Sequence, residues 1–419
     1  MVRSNMQTNI IAGIDIGSTA IRVAIGQYVF IDGQEPEVQI IGTAEVSSGG
    51  MHRGTITSIE EVVSSVSHVL EEAERLVGVP IEHAWIGICG AQILSQESRG
   101  VVAVAKSDGE ISYEDVARVV EAAQTVAAPL NYEVLHILPK TFTVDGQIGV
   151  KDPVGMTGVR LEVDAQMIYG VSAHIKNISK AVYRTGIDID DLVLSVVATA
   201  DIVLTSRQKD LGVVMVDVGG STTTIAVYEE GNMIHSSVIP IGSNHITNDL
   251  ALGLQTSIDI AERLKVTYGQ CTLKGVTSDE IIDLAEFGAE SQPVSKAFMV
   301  EIISARVSEL MEKINDELLN IERKALLPAG VIFAGGGAKL RGLTDIAKQV
   351  LHVNAAHGYP HGVQSATDKI NDLAYTGAIG LVKWGALMDM RGGNKSIIRF
   401  PGGKQMAVQV KKLFKFLVP

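Results

Sequence analysis

Asp15-Ile-Gly-Ser-Thr19 and Asp217-Val-Gly-Gly-Ser-Thr222 are two versions of one motif, about two hundred residues apart. The first follows the apolar β-type run Ile10-Ile-Ala-Gly-Ile14, the second Val213-Val-Met-Val216. Each is followed by a second run of β-branched or alternating residues, Ile21 to Ile25 and Thr224 to Tyr228. The pattern is a strand, a tight turn rich in glycine and hydroxyls, and a return strand. Such a turn offers backbone N–H groups and Ser/Thr hydroxyls to an anion. The Asp before it can hold Mg²⁺ through water, because that ion keeps much of its hydration shell. Two such turns on two halves of one chain are expected to face each other across a cleft, with a Mg²⁺-chelated polyphosphate between them.

A third stretch supports this. Gly330-Val-Ile-Phe-Ala-Gly335-Gly336-Gly337-Ala338-Lys339-Leu340 is a buried strand running into three glycines, then a helical pattern of Leu340, Leu343, Ile346, Ala347 and Val350. Glycines at a strand-to-helix junction let a ligand approach the backbone closely. The order of the three loops resembles the actin-like ATPase superfamily: phosphate loop, phosphate loop, adenosine loop. The resemblance implies an α/β protein with two domains of shared, ribonuclease H-like topology and a nucleotide between them. In actin-like proteins the position of Arg22 often carries a basic residue that reaches the phosphates.

The chain has 419 residues, enough for two large domains, and 46% of them are hydrophobic. Cys89 and Cys271 fit neither a disulfide framework nor a metal site and read as buried thiols of a reducing cytosol. The first nine residues lack an apolar segment, so no leader is expected, and no run of eighteen apolar residues is present to span a bilayer. The net charge of −13 argues against nucleic-acid binding. From Arg391 onward, however, seven basic side chains occur with no Asp or Glu. A basic tail on an acidic body implies a separate task for the tail.

Along the chain, Val38 to Val46 reads as a third strand. Ser58-Ile-Glu-Glu61 opens a helix whose apolar face runs from Ile59 to Val77. Trp85 to Gly90 is a strand, Ile93 to Ala105 a strand pair, Tyr113 to Ala127 a helix, and Val134 to Val144 and Leu161 to Tyr169 are strands. The block 85–165 is therefore a small α+β insertion. It divides a first domain, 1–84 with 166–205 and 366–390. Helices are expected at Val171 to Gly186 and Asp190 to Ser206, the latter after a short strand. The second domain is 206–245 with 329–365. A helical subdomain, 246–328, carries helices at Ile246 to Gly269, 277–288 and 295–322. Residues 371–388 form an apolar helix returning to the first domain.

Residues 391–403 read as a linker and 404–419 as a final helix. Met406, Val410, Leu413, Phe414 and Leu417 form one stripe, with Lys411, Lys412 and Lys415 outside it. At roughly 20 Å this helix is too short to cross a membrane. It suits the interface, with each lysine contributing about 1 kcal/mol near anionic headgroups.

Several stretches resemble one family, the FtsA cell-division proteins. They are His136-Ile-Leu-Pro-Lys-Thr-Phe142-Thr-Val-Asp145, Asp152-Pro-Val-Gly-Met-Thr-Gly-Val-Arg160-Leu-Glu162, Gly50-Met-His-Arg-Gly54, Gly87-Ile-Cys-Gly90, Ala261-Glu262-Arg-Leu-Lys265-Val-Thr-Tyr-Gly269 and Tyr375-Thr-Gly-Ala-Ile-Gly380. The match covers about residues 8–385 and the basic tail. It implies an ATP site with Mg²⁺ flanked by Asp15 and Asp217. Gly17, Ser18, Thr19, Gly219, Gly220, Ser221 and Thr222 would wrap the phosphates. Gly335, Gly336 and Gly337 would contact the adenosine, and Glu262 and Lys265 the ribose or base. Ala334 stands where many relatives have Thr.

The family further implies head-to-tail self-assembly and anchoring of FtsZ filaments to anionic lipid on the cytoplasmic face of the inner membrane at the septum. The helical subdomain would receive the FtsZ C-terminal peptide, with Arg306 pairing with its acidic groups, and later divisome proteins would follow. The loops do not identify a residue that orients an attacking water; Asp217 or a polar residue between Ala198 and Gln208 is the candidate. Two other readings remain, a pilus-assembly type scaffold and a small-molecule kinase. A kinase needs a positioned Asp as base, and no further loop supplies one.

Overall fold

The computed structural model describes residues 10–29, 37–124, 128–277 and 279–391. In chain order the elements begin with β1 (Ile10–Ile16), β2 (Ala20–Val29), β3 (Glu37–Ser47), the short pair β4 (Met51–His52) and β5 (Thr55–Ile56), α1 (Ile59–Val77) and β6 (His83–Ile88). They continue with β7 (Ile93–Ala103), α2 (Tyr113–Gln124), β8 (Tyr132–Val144), β9 (Gln147–Val150), β10 (Arg160–Val171), α3 (Ser172–Tyr183), β11 (Asp188–Leu194), α4 (Ser195–Val203) and α5 (Ser206–Leu211). The second half holds β12 (Val213–Val218), β13 (Thr223–Glu229), β14 (Asn232–Ile239), α6 (Ser243–Gly253), α7 (Ile258–Tyr268), β15 (Ile281–Asp283), β16 (Pro293–Ser295) and α8 (Lys296–Asn320). Last come β17 (Val331–Ala334), α9 (Leu343–Leu351), β18 (Ala355–His357), β19 (Gln364–Ser365) and α10 (Thr376–Arg391).

The two halves share one topology. In the first lobe the sheet order is β11-β6-β1-β2-β3-β19, and in the second it is β14-β13-β12-β17-β18. In both, the first three strands form an antiparallel meander, and the fourth and fifth run parallel to the first. Parallel strands buried on both faces read as continuous apolar runs, which is why β1 and β12 were legible without alternation. The lobes differ in what is inserted. Between its third and fourth strands the first lobe has α1, where the second has α6 to α8. Between its fourth and fifth strands the first lobe carries a separate four-stranded sheet, β7-β10-β8-β9.

Local signals explain α1. Val62, Val66, Val69, Leu70 and Ala73 bury one face; the Ser58 hydroxyl accepts from the Glu61 N–H, and Gly78 at φ 73° closes the helix onto Glu74. Elsewhere the expectations need correction. Residues 277–288 are not an α-helix. The strand β15 and a 3₁₀ turn at Leu284–Phe287 stand there, because the Asp283 carboxylate caps Ala285 and Gly288 takes φ 84°. The helix expected from Ile246 to Gly269 breaks into α6 and α7 at Gln255, which sits at φ 51°, and the Ser257 hydroxyl caps the second piece. Asp190 to Ser206 is strand up to Leu194 before α4 begins. Ile93 to Ala103 is one strand rather than a pair, and the helix after the three glycines starts at Leu343, behind a 3₁₀ turn at Gly336–Lys339. The strand at His83–Ile88 is part of the first lobe's sheet, so the inserted sheet begins only at Ile93. The tail and its amphipathic stripe lie outside the described residues.

Candidate functional site

The two motif turns close in the same way. The Gly17 N–H donates to the Ala20 carbonyl at 3.2 Å, and the Gly219 N–H to the Thr222 carbonyl at 2.9 Å. Strand register agrees, with Asp15 opposite Arg22 and Asp217 opposite Thr224. The structural equivalence is therefore Ser18 with Gly220, Thr19 with Ser221, and Ala20 with Thr222. Matching the Ser-Thr pairs by sequence is off by one residue.

The turns meet across the lobes. Thr19 Oγ1 donates to Asn244 Oδ1 at 3.4 Å, and a Cβ on Gly220 would lie 1.8 Å from Thr19 Oγ1. Loop two is braced by the start of α6, whose Ser243 and Asn244 N–H groups donate to the Gly219 and Gly220 carbonyls at 2.9 and 2.8 Å. The loops face each other as expected, but they touch at Thr19. A phosphate group between them needs Thr19 to turn or the lobes to part slightly.

The paired carboxylates are brought together. Burial pushes Asp217 up to about 7, with the neighbouring Asp15 charge adding to the shift and Arg22 opposing it. Burial also raises Asp15, against Arg22 and a hydrogen bond from Ser195. Two carboxylates that resist ionising side by side, with polar loops around them, suit a cation and its bound waters. Cys89 is half-buried rather than buried; burial and the charges of Asp15 and Asp217 push its thiol up, which places it beside the pair. Cys271 is buried as expected.

The surroundings of the two Asp residues differ. Asp15 sits in a close-fitting niche. Ser195 Oγ donates to Asp15 Oδ1 at 3.1 Å, and Cβ atoms on Gly87 and Gly377 would approach its carboxylate to 3.1 and 2.8 Å. Asp217 is backed by Gly335, where a Cβ would lie 2.2 Å from Asp217 Oδ1. Gly335 also takes φ 84°, a conformation only glycine adopts without strain, and its N–H donates to the Leu373 carbonyl at 3.1 Å. The strand β17 delivers the three glycines there, with Ala334 opposite Asp217 in the parallel register. Gly337 packs on Val218, and Gly336 is open.

The remaining predicted residues fall as follows. Arg22 donates to Glu45 at 2.5 Å and lies 5.8 Å from the Tyr375 ring centre, so its guanidinium is already engaged beside the carboxylates. Lys265 is buried; its ammonium reaches Glu262 at 2.6 Å, Thr247 at 2.8 Å and the Ser243 carbonyl at 3.2 Å. Through Ser243 this group braces the start of α6 behind loop two. Arg306 is bidentate to Asp249 at 2.6 and 2.9 Å and also pairs with Glu309. Arg306 is thus already paired with two carboxylates of its own chain. Between Ala198 and Gln208, Thr199 is bonded to the Ser195 carbonyl, Asp201 to Lys209, and Thr205 with Gln208 forms a capping box. None of these contacts involves Asp217. The residue that does touch a site carboxylate, Ser195, lies just before that segment. Sequence reasoning missed Ser195 and Asn244; the Gly87 and Gly377 positions were visible only as parts of family-like stretches.

Comparison with known proteins is consistent with this geometry. The family model described as "Cell division protein FtsA" matches residues 214–380, and that described as "SHS2 domain inserted in FTSA" matches residues 90–169. Proteins named Cell division protein FtsA are similar over most of both chains. The Pseudomonas aeruginosa one is 34% identical over 92% of each chain. The Bacillus subtilis one is 36% identical over 88% of this chain and 82% of its own, and the Escherichia coli K12 one is 32% identical over 91% and 92%. Among solved structures, a PilM–PilN type IV pilus biogenesis complex aligns with TM-score 0.66 and 15% identity, over 90% of this chain and 98% of that one. MreB5 of Spiroplasma citri bound to ADP aligns with TM-score 0.53 and 12% identity, over 93% and 99%. The fold is that of the actin-like ATPases, with an SHS2 insertion. Within that class, the chain belongs to the FtsA family of cell-division proteins.

Proposed function

We propose that this chain binds ATP with Mg²⁺ between its lobes, assembles head to tail, and ties FtsZ filaments to the cytoplasmic face of the inner membrane at the septum. The observation that carries the nucleotide reading is the meeting of Asp15 and Asp217, one from each lobe, with Gly335 leaving room behind the second. The glycine cradle and the acidic pair fit a Mg²⁺-bound triphosphate, the metal supplying charge neutralisation for the phosphates. Asp15 and Asp217 would accept hydrogen bonds from the metal's waters. Backbone N–H groups and hydroxyls of residues 17–19 and 219–222 would hold the phosphates, and residues 335–337 would line the adenosine. Lys265 and Glu262 would reach the nucleoside from α7, and Arg22 would balance charge.

The membrane reading rests on the tail sequence, where Met406, Val410, Leu413, Phe414 and Leu417 face lipid and Lys411, Lys412 and Lys415 face headgroups. The FtsZ reading is supported by α6 and α8. Leu252 and Phe298 are exposed on the two helices that also carry the Asp249–Arg306 pair. An acidic, partly apolar peptide would exchange its carboxylate for Asp249 or Glu309 while covering those side chains. Membership of a cell-division family and the basic tail favour this reading over the kinase and the pilus scaffold. Vesicles of mixed neutral and anionic lipid test it. Full-length protein should co-sediment and carry an FtsZ C-terminal peptide with it, while Leu413→Glu should stay in the supernatant. Equal distribution of the two forms would remove the anchor.

A further inference from the structure

The first phosphate loop has a second connection, leading away from the carboxylates. Ser18 Oγ accepts a hydrogen bond from the Gly54 N–H at 2.8 Å. Gly54 is the second residue of the two-residue turn between β4 and β5. Arg53 and Gly54 stand at φ 50° and 76°, both positive, as a type I′ hairpin requires. The back of this turn lies on Gly90. A Cβ on Gly54 would come 2.7 Å from Gly90 Cα, and one on Gly90 would come 3.1 Å from Gly54 Cα. Beside them Gln92 Nε2 donates to Thr55 Oγ1.

Residues 90–92 are the neck of the inserted domain. The Ile93 N–H, at the start of β7, donates to the Gly90 carbonyl at 3.2 Å, and the Val171 N–H, at the end of β10, donates to the Gln92 carbonyl at 3.3 Å. Both chain crossings into the insertion therefore converge where the hairpin touches. The hairpin's other end is fixed, because the Gly50 carbonyl accepts from the Thr57 and Ser58 N–H groups at the start of α1. Lobe two has no counterpart: Gly220 stands where Ser18 would, and only residues 240–242 separate its third strand, β14, from α6.

A hydroxyl that accepts from Gly54 keeps its proton for a phosphate oxygen. A shift of Ser18 must move the turn or break its bond, and a turn that moves carries with it Thr55, whose hydroxyl holds Gln92 at the neck. We propose that the β4–β5 hairpin carries the occupancy of the first phosphate loop to the neck of the inserted domain, so that this domain's freedom depends on a bound nucleotide's phosphates. This rests on the nucleotide reading given above.

Amide hydrogen exchange on the full chain, with and without Mg²⁺-ATP, tests it. Exchange should slow at residues 10–25 and 213–225, and at residues 93–103 by about fivefold, the equivalent of one hydrogen bond of about 1 kcal/mol. Gln92→Ala and Thr55→Val leave the phosphate loops intact. They should keep the slowing at the two loops and lose it at 93–103. Slowing at both loops with none at 93–103 in the natural sequence would overturn the relay and leave the nucleotide site standing. So would a response at 93–103 that survives in both variants. No slowing anywhere would overturn the nucleotide reading, and the relay with it.

Discussion

The two motif turns are the same backbone in different settings. Each closes with one hydrogen bond across four residues and follows an Asp at the end of a buried strand. In lobe one the Asp is held: Ser195 donates to it, and Gly87 and Gly377 shape its niche. In lobe two the space behind Asp217 is made by Gly335 alone, and Asp217 is the carboxylate pushed up to about 7. Lobe one supplies the hydroxyls Ser18 and Thr19, of which Thr19 reaches across to Asn244. Lobe two has Gly220 in place of Ser18 and Ser221 in place of Thr19. The two copies of the turn have thus diverged in their supports: Ser195 holds Asp15 in the first, and the start of α6 braces the second.

That asymmetry has measurable consequences. The largest lies at Gly335. An Ala there meets Asp217 Oδ1 at 2.2 Å with φ at 84°, and should cost about 3 kcal/mol in urea unfolding. Gly336→Ala, whose Cβ meets only Ala374 at 3.8 Å, should stay within about 0.5 kcal/mol. Equal costs would mean that the niche behind Asp217 is not tight.

The second consequence is a pH dependence. The folded-state pKa of Asp217 lies above its ordinary value, so the folded chain holds the proton more strongly than the unfolded one. Stability of the ligand-free protein should therefore fall as pH rises from about 4 to about 7. Asp217→Asn removes the ionisation and should raise the melting temperature by a few degrees at pH 8, with a smaller gain at pH 5. A gain that does not grow with pH would show that burial and the Asp15 charge do not raise the Asp217 carboxyl.

The third concerns the contact between lobes. Gly220→Ala drives a Cβ into Thr19 Oγ1 and should cost about 1 kcal/mol, recovered when Thr19→Ala is added. Additive costs in the double variant would place the two loops apart in solution. The smallest effect is Ser195→Ala, which removes one hydrogen bond from Asp15 and should cost about 1 kcal/mol or less. It should weaken Mg²⁺-dependent nucleotide affinity more than Thr199→Ala, whose hydroxyl donates to the Ser195 carbonyl.

Much of this was legible in the chain. Asp15 and Asp217 mark strand ends because the runs before them are buried on both faces, and Ser58 and Gly78 announce α1 through local capping chemistry. Local signals failed where tertiary contact decides. Ser195 and Gly377 meet Asp15 across about 180 and 360 residues, and no pattern near either residue shows that. The one-residue offset between Ser18-Thr19 and Ser221-Thr222 was hidden by the identity of the dipeptide itself. The misread stretch at 277–288 has Ile281, Ile282, Leu284 and Phe287 at near-helical spacing. The Asp283 cap and Gly288, which end the turn after four residues, carried the information instead.

The central claim is that Asp15 and Asp217 together hold a metal-bound nucleotide between the lobes. Titration calorimetry of ATP into the full-length protein, with and without Mg²⁺, addresses it directly. Binding should require Mg²⁺, and Asp217→Asn should weaken it about 10- to 100-fold, as loss of a carboxylate that orders metal-bound water does. Affinity unchanged by Asp217→Asn, or by withdrawing Mg²⁺, would contradict the account.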